Sequence, residues 1–337
     1  MSREPFPPFD TFDLSHLRGL PPREENPEAA RAEAVVRAEL LAVGLTQPDH
    51  AAYTSMTRYL FPVTPADRLI PMGLLNDILF YVDDRYSPHR SSLDDTMSLD
   101  VVEAMDKAID ALRNGVVAGT ALPDSEAISR GFARVHDLLA HRAPPLLRER
   151  IATAVEQCLL AMRRPVKDIY VDGIPDPERY TRIRYHDSGM KVEVELADFA
   201  RGFLLSDEVI RHPVIARARD ITVHIGGLMN DLFSYQKEVV RNGQMFNFVP
   251  VMQDALNCSP QEAFSAAVRY VNELTAEFEQ LTPTASEFAD LCPAGQVAAY
   301  MESLADQIAA TYNWQFYTSR YKAVDSVVPL LRVEDGV

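Results

Sequence analysis

Asn230, Ser234 and Glu238 recur every four residues in the stretch ITVHIGGLMNDLFSYQKEVV. On an α-helix this spacing stacks an amide oxygen, a hydroxyl and a carboxylate along one face, each turned about 40° from the last. Hard oxygen donors of this kind suit Mg²⁺, which keeps some of its waters and completes its octahedron with carboxylates and phosphate oxygens. No Cys or His joins the set, so zinc is a poor fit. The competing reading is the wet face of an amphipathic helix, where polar residues at this interval are common. Two neighbours weigh against it. Gly226 lies one turn before Asn230, with Gly227 beside it. Glycine inside a helix costs about 1 kcal/mol relative to alanine, a cost accepted where something must approach the backbone closely. Lys237 then sets a cation next to Glu238, which a phosphate site needs and a metal site alone does not.

A second oxygen pair, Asp83 and Asp84, closes the apolar run that ends FYVDDRYS. Adjacent carboxylates repel one another unless a cation sits between them, and at a helix C-terminus each opposes the macrodipole by about 0.3–1 kcal/mol. The alternative is a solvated pair at a helix end.

Helices must position these groups. Of the 337 residues, 47% are hydrophobic, enough for a buried core, and 24% are charged. A formal charge of −16 argues against a nucleic-acid partner, which requires basic patches. Cys158, Cys258 and Cys292 are widely separated and odd in number, which points to a reducing cytoplasm without a disulfide framework. The N-terminus lacks a basic region followed by an apolar run, so no signal peptide is expected, and no stretch is long and apolar enough to span a membrane.

Residues 1–26, rich in proline, read as an arm, either disordered or folded over a pocket mouth by Phe6, Phe9, Phe12 and Leu14. Helical runs follow at 28–43, 51–60 and from Pro65 to Asp84, then near 97–113, 125–140, 145–163, 191–204, 208–240, 260–281 and 286–318. No run alternates as a strand must, and there is no glycine fingerprint or internal repeat. The architecture expected is an all-α, single-domain helical bundle: arm 1–26, catalytic domain 27–325 and tail 326–337.

NDLFSYQKE resembles the second metal-binding motif of class I terpene synthases of the bacterial type, Asn-Asp-x-x-Ser-x-x-Lys-Glu, with Asn230, Asp231, Ser234, Lys237 and Glu238 at the specified positions. The Asp83-Asp84 pair is similar to the family's aspartate-rich motif, Asp-Asp-x-x-Asp or a longer variant ending in Glu. It departs at Ser87, which takes the place of the third acid; Asp94 or Asp95 is the alternative source, at the wrong spacing. The first Asp of the motif bridges magnesium ions in the family, a role that falls on Asp83. In this family an arginine stands 46 positions before the Asn, which gives Arg184 as diphosphate sensor, Asp187 as linker and Ser188 as effector, or Gly189 if the register slips by one. Arg320 and Tyr321 match the expected C-terminal Arg-Tyr pair, and the likeness runs from about residue 60 to 321.

The resemblance implies a helical bundle around a central apolar cavity, with three Mg²⁺ ions bound together with a substrate diphosphate. Asp83, Asp84, Asn230, Ser234 and Glu238 would hold metal, while Arg184, Lys237, Arg320 and Tyr321 would hold diphosphate. Phe80, Trp314 and Gly226 would line the cavity. The implied reaction is ionisation and cyclisation of a prenyl diphosphate, farnesyl before geranylgeranyl, to a cyclic hydrocarbon or alcohol. A homodimer stays open. Three other readings stand beside it: a chain-elongating prenyl transferase, a non-catalytic isoprenoid-binding protein, and a phosphohydrolase built on His136-Asp137 and His186-Asp187.

Overall fold

Runs of Leu, Ile, Val and Ala at helical spacing, separated by Pro and Gly, fold as helices throughout. The computed structural model describes residues 12–21, 24–45, 50–87, 90–117, 119 and 123–333. In order the helices are α1 (Ala29–Val43), α2 (His50–Leu60), α3 (Ala66–Tyr86), α4 (Leu99–Asn114), α5 (Pro123–Ala140), α6 (Pro145–Met162), α7 (Val166–Ile169), α8 (Pro177–Asp187), α9 (Met190–Arg201), α10 (Asp207–Ile210), α11 (Pro213–Tyr235), α12 (Phe248–Leu256), α13 (Pro260–Gln280) and α14 (Gln296–Tyr317). No strand occurs among the described residues; a single parallel bridge joins Ala323 to Arg332. None of these helices is long and apolar enough to cross a membrane.

The middle of the bundle is α3, buried nearly all round from Leu69 to Val82 and including the polar Asn76 and Asp77. It packs on α1, α2, α5 and α9, while α11 packs on α8, α9, α13 and α14. Between α3 and α11 lies a gap that α2, α9 and α14 close.

Four boundaries differ from the sequence reading. Helix α8 falls in a stretch assigned to no helix, although its start is well marked: the Asp176 side chain accepts from the Arg179 amide at 2.7 Å, and Pro177 follows. Helix α12 likewise falls outside the expected helical runs; its cap is Asn247, whose side chain accepts from the Val249 amide at 3.0 Å. The run 208–240 divides into α10 and α11 because Pro213 has no amide hydrogen to continue a helix, and it ends in a π-helical turn, Gln236–Arg241. The run 286–318 opens with a short 3-10 turn, Ala285–Phe288, and becomes an α-helix only at Gln296, after Pro293 and a left-handed Gly295 at φ 85°.

Of the arm, Phe12, Leu14, Leu17 and Leu20 are buried. Phe12 stacks on Tyr235 at 5.2 Å and meets Phe264 edge-on at 5.3 Å, so this part of the arm lies against α11 and α13. Phe6 and Phe9 lie outside the described residues. At the other end, Val327, Val328 and Leu331 are buried, and the Val327 amide donates to Gln236 at 2.9 Å.

A buried charge network pins α6, α9 and α11 together. Glu195 accepts from Arg219 at 2.5 Å, Arg150 at 2.9 Å and Lys191 at 2.9 Å. Burial works to raise its pKa, but the three cations outweigh burial and hold it at about 2. A folded-state pKa below the unfolded one contributes stability that is complete above the unfolded value and lost as pH falls toward the folded value. Replacing Glu195 with Gln should therefore cost on the order of 3 kcal/mol at pH 7. The gap from wild type, measured by urea unfolding, should narrow steadily as pH is taken from 4.5 toward 2; a gap independent of pH would contradict this account.

Candidate active site

The gap between α3 and α11 is a cavity of about 230 Å³. From α3 it is lined by Asn76, Leu79, Phe80, Asp83 and Asp84, with Ser87 following, and from α11 and its π-helical turn by Gly226, Asn230, Lys237 and Glu238. The two oxygen-bearing stretches thus face one another across a single cavity. The π-helical turn contributes to that arrangement. Its wider turn advances the chain by fewer degrees per residue than the α-helix, so Glu238 is swung back toward the azimuth of Asn230. Ser234, between them, is fully buried and not among the cavity-lining residues, and its hydroxyl has no hydrogen-bond partner among the described residues.

Ion pairs cross the mouth. Arg320 donates to Asp84 at 2.5 Å and to Asp83 at 3.4 Å, and Lys237 reaches Asp84 at 3.2 Å. Burial and the neighbouring Asp84 raise the pKa of Asp83, against the pull of Arg320 and Lys237. Its side chain nevertheless keeps 42% of its surface open at the mouth, so water moderates that rise. Burial also works against the charge of Arg320, but Tyr321, Asp84 and Asp83 outweigh it and push its pKa further up.

Arg184, at the end of α8, is held on several sides. It donates to Asn230 Oδ1 at 2.8 Å, to Asp231 at 2.8 Å and to Asp187 at 3.4 Å. Asp231 also accepts from the Tyr180 hydroxyl at 2.5 Å and the Phe248 amide at 3.2 Å. Burial lifts the Asp231 carboxyl, and these donors work against it. Asn230 turns its amide nitrogen to the Tyr321 hydroxyl at 2.7 Å, which ties the C-terminal Arg-Tyr pair to the metal-motif helix. Asn247 donates to Glu238 at 3.2 Å and to the Asp231 carbonyl at 2.9 Å.

The break between α8 and α9 occurs at Ser188 and Gly189, both of which line the cavity, and Gly189 takes the left-handed φ of 76°. Here the paired glycines of α11 find their reason. A Cβ on Gly227 would come within 3.0 Å of Ser188 and 3.2 Å of Arg184, and one on Gly226 within 2.2 Å of Met190. What approaches the helix closely is thus the α8–α9 junction. Phe80 and Trp314 line the cavity just beneath the mouth, with ring centroids 5.7 Å apart, and the Arg320 guanidinium sits 5.4 Å over Phe80.

Several residues escaped the sequence reading. Arg90 grips Asp187 with two parallel bonds of 2.7 and 2.8 Å, is 6% exposed, and lies 4.4 Å over the Phe246 ring. Burial raises the Asp187 pKa, but Arg90 and Arg184 more than reverse this and hold it below the usual carboxylate range. Arg90 has a φ of 56°, unusual for a residue other than glycine, and no local sequence signal marks it. Tyr180 and Gln315 also escaped notice, as did Glu193, a carboxylic acid in the cavity wall. Asp94 and Asp95 do not line the cavity; Asp95 accepts the Ser91 and Ser92 amides of its own loop at 2.8 and 2.9 Å. The two His-Asp dipeptides make no common centre. His136 bonds the Leu112 carbonyl at 2.9 Å, and Asp187 faces arginines.

The donor set fits Mg²⁺. The atoms that line the cavity are the carboxylate oxygens of Asp83, Asp84 and Glu238 and the amide oxygen of Asn230, hard donors of the kind Mg²⁺ takes, and just behind them the buried Ser234 hydroxyl has no partner among the described residues.

Residues 75–277 match the family model described as "Terpene synthase family 2, C-terminal metal binding". Sesquiterpene synthase 3 of Postia placenta is 31% identical over 184 residues, covering 54% of this chain and 49% of that protein, so the match spans about half the length of that relative. The 10-epi-cubebol synthase of Sorangium cellulosum is 24% identical, covering 82% of this chain and 85% of its own. Among solved structures, 2-methylisoborneol synthase from Streptomyces coelicolor, in complex with Mg²⁺ and 2-fluoroneryl diphosphate, superposes with a TM-score of 0.75 at 20% identity, over 93% of this chain and 99% of that one. That likeness extends the shared all-α fold to nearly the whole chain.

The Arg90 fork generates a prediction. Replacing Arg90 with Ala leaves the buried Asp187 with only its longer contact to Arg184, and should cost about 3 kcal/mol in urea unfolding at neutral pH. Arg90→Lys should recover only part of that, since an ammonium cannot form the two parallel bonds. A loss below about 0.5 kcal/mol for Arg90→Ala would contradict the geometry.

Proposed function

The chain belongs to the terpene synthase family, and from that premise we propose that it ionises a prenyl diphosphate, farnesyl diphosphate before geranylgeranyl, and cyclises the cation to a terpene hydrocarbon or alcohol with release of diphosphate. The observation that carries this reading is that Asp83 and Glu238, on opposite walls, line one cavity together with Arg184, Lys237, Arg320 and Tyr321 and the aromatic rings of Phe80 and Trp314. Relatives supply the substrate class: the Postia placenta protein is a sesquiterpene synthase, and the 7-epi-alpha-eudesmol synthase of Streptomyces viridochromogenes, 24% identical over 78% of this chain, is named as cyclising (2E,6E)-farnesyl diphosphate.

Asp83, Asp84, Asn230, Ser234 and Glu238 would hold Mg²⁺, which supplies neutralisation of the charge that develops on a departing diphosphate. Arg184, Lys237 and Arg320 offer guanidinium and ammonium donors to the same phosphate oxygens, and the Tyr321 hydroxyl adds another. To do so Arg320 and Lys237 exchange Asp83 and Asp84 for substrate, so diphosphate binding frees the two carboxylates when they are needed as metal ligands. The allylic C–O bond then breaks with both electrons leaving on oxygen. Phe80 and Trp314 face the resulting cation, where an aromatic ring contributes roughly 0.5–2 kcal/mol. Apolar walls exclude water that would quench the cation early. The second motif ends in Asn, Ser and Glu rather than a second aspartate-rich set, which favours cyclisation over chain elongation. We place the reaction in the cytoplasm.

Incubation with geranyl, farnesyl and geranylgeranyl diphosphates and Mg²⁺ should release diphosphate and give a cyclic product from one of them by gas chromatography and mass spectrometry. Glu238→Gln and Asp83→Asn should each slow diphosphate release by at least about 100-fold while keeping the wild-type melting temperature. Full turnover by both variants would overturn the metal assignment, and binding without diphosphate release would identify a carrier instead.

A further inference from the structure

Two glutamates on α9, two residues apart, are buried to a similar degree and treated in opposite ways. Glu195, 6% exposed, is surrounded by Arg219, Arg150 and Lys191. Glu193, 4% exposed, lines the reaction cavity, and its carboxyl has no hydrogen-bond or ion-pair partner among the described residues. Only its backbone is pinned: the Glu193 carbonyl accepts from Gln307 Nε2 on α14 at 2.8 Å. That contact gives its depth. Gln315, two turns further along α14, faces Asn230 at 3.4 Å, so the Glu193 backbone sits about 12 Å from the level of the metal motif at 1.5 Å per residue. The apolar lining of the cavity includes Met56, Leu79, Met162 and Met190.

We propose that Glu193 is the acid–base residue of the hydrocarbon end of the cavity, giving a proton to a neutral cyclised olefin and recovering one from the final cation. The inference rests on the ionisation reading above. A buried polar group with no protein partner is costly unless it serves a ligand, and no other acidic side chain lines this part of the cavity among the described residues. Burial alone pushes its pKa up to about 8, so at neutral pH it stands mainly as the uncharged acid with a proton to give.

The steps balance. Ionisation leaves the C–O electron pair on diphosphate. The first cyclised cation loses a proton from the carbon next to its charge to the departed diphosphate, and the C–H pair becomes a C=C bond. Glu193 then transfers its O–H proton to one carbon of that olefin; the π pair forms the new C–H bond, the adjacent carbon becomes cationic and glutamate becomes carboxylate. A further ring closure moves the charge. Finally the carboxylate takes a proton from a carbon beside the last cation, which leaves a C=C bond and restores the acid. Overall, one proton departs with diphosphate. The carboxylate also pairs with the second cation while that cation exists, which favours its formation in a cavity otherwise without negative charge at this depth.

The test is a single turnover in D₂O, with enzyme equilibrated in D₂O and in excess over farnesyl diphosphate, or geranylgeranyl diphosphate if that is the substrate accepted, plus Mg²⁺. The wild-type product should carry one deuterium by mass spectrometry. Glu193→Gln, an isosteric neutral change, should release diphosphate within about threefold of the wild-type rate and yield an unlabelled, less cyclised olefin. Release of diphosphate with an unlabelled wild-type product would overturn the inference alone, as would a labelled product of unchanged skeleton from Glu193→Gln. No diphosphate release from the wild type with either substrate would sink the ionisation reading and this inference with it.

Discussion

Charge in a low-dielectric cavity must be paired, and here the pairs are made between different helices. Asp83 and Asp84 belong to α3, Lys237 to the turn after α11, and Arg320 to the segment after α14. The ion pairs across the mouth therefore join three parts of the bundle that backbone connectivity keeps apart. Breaking them without replacement would strand the charge of Arg320, 9% exposed, while Asp83, Asp84 and Lys237 keep part of their surface open to water, which moderates the cost. A diphosphate with its divalent cations is a replacement of matching sign on both sides, anion for Arg320 and Lys237 and cation for the aspartates. Exchange of partners is then a concerted matter, and it ties binding to the relative position of the walls.

Behind that mouth the supports are rigid. Arg184 is oriented by Asp231, Asp187 and Asn230, and each of these is oriented in turn: Asp231 by Tyr180, Asp187 by Arg90, Asn230 by Tyr321. Gly226 and Gly227 let the α8–α9 junction sit against α11, which sets how far Arg184 and Ser188 reach into the cavity. The cavity thus combines two kinds of surface. Around its mouth stand the charged donors, and its lining also carries methionine, leucine and aromatic surface together with Glu193.

What the sequence made legible follows from locality. Asn230, Ser234, Lys237 and Glu238 lie within nine residues, so helical periodicity alone suggests a shared face, and two adjacent aspartates declare themselves by their repulsion. The all-α class followed from the absence of alternating runs. What stayed hidden depends on tertiary proximity or on local departures from ideal geometry. Arg90 meets Asp187 across 97 positions and from a left-handed backbone, and no pattern announces such a meeting. The π-helical turn cannot be read from a spacing argument that assumes a uniform helix, yet it changes the direction of Glu238. Glu193 and Glu195 look alike in sequence, and the cations packed from α6 and α11, together with Lys191 one turn earlier on α9, tell them apart. Helix α8, by contrast, carried a readable Asp-Pro cap that its polar, arginine-rich body obscured.

The central claim is that two oxygen-bearing walls act together on one diphosphate through shared divalent ions. Calorimetric titration of inorganic diphosphate into the protein, once with Mg²⁺ and once with EDTA, tests it without any catalytic step. The account predicts binding at least about tenfold tighter with Mg²⁺, a coupling of roughly 1.4 kcal/mol or more. Equal affinity under the two conditions would contradict it.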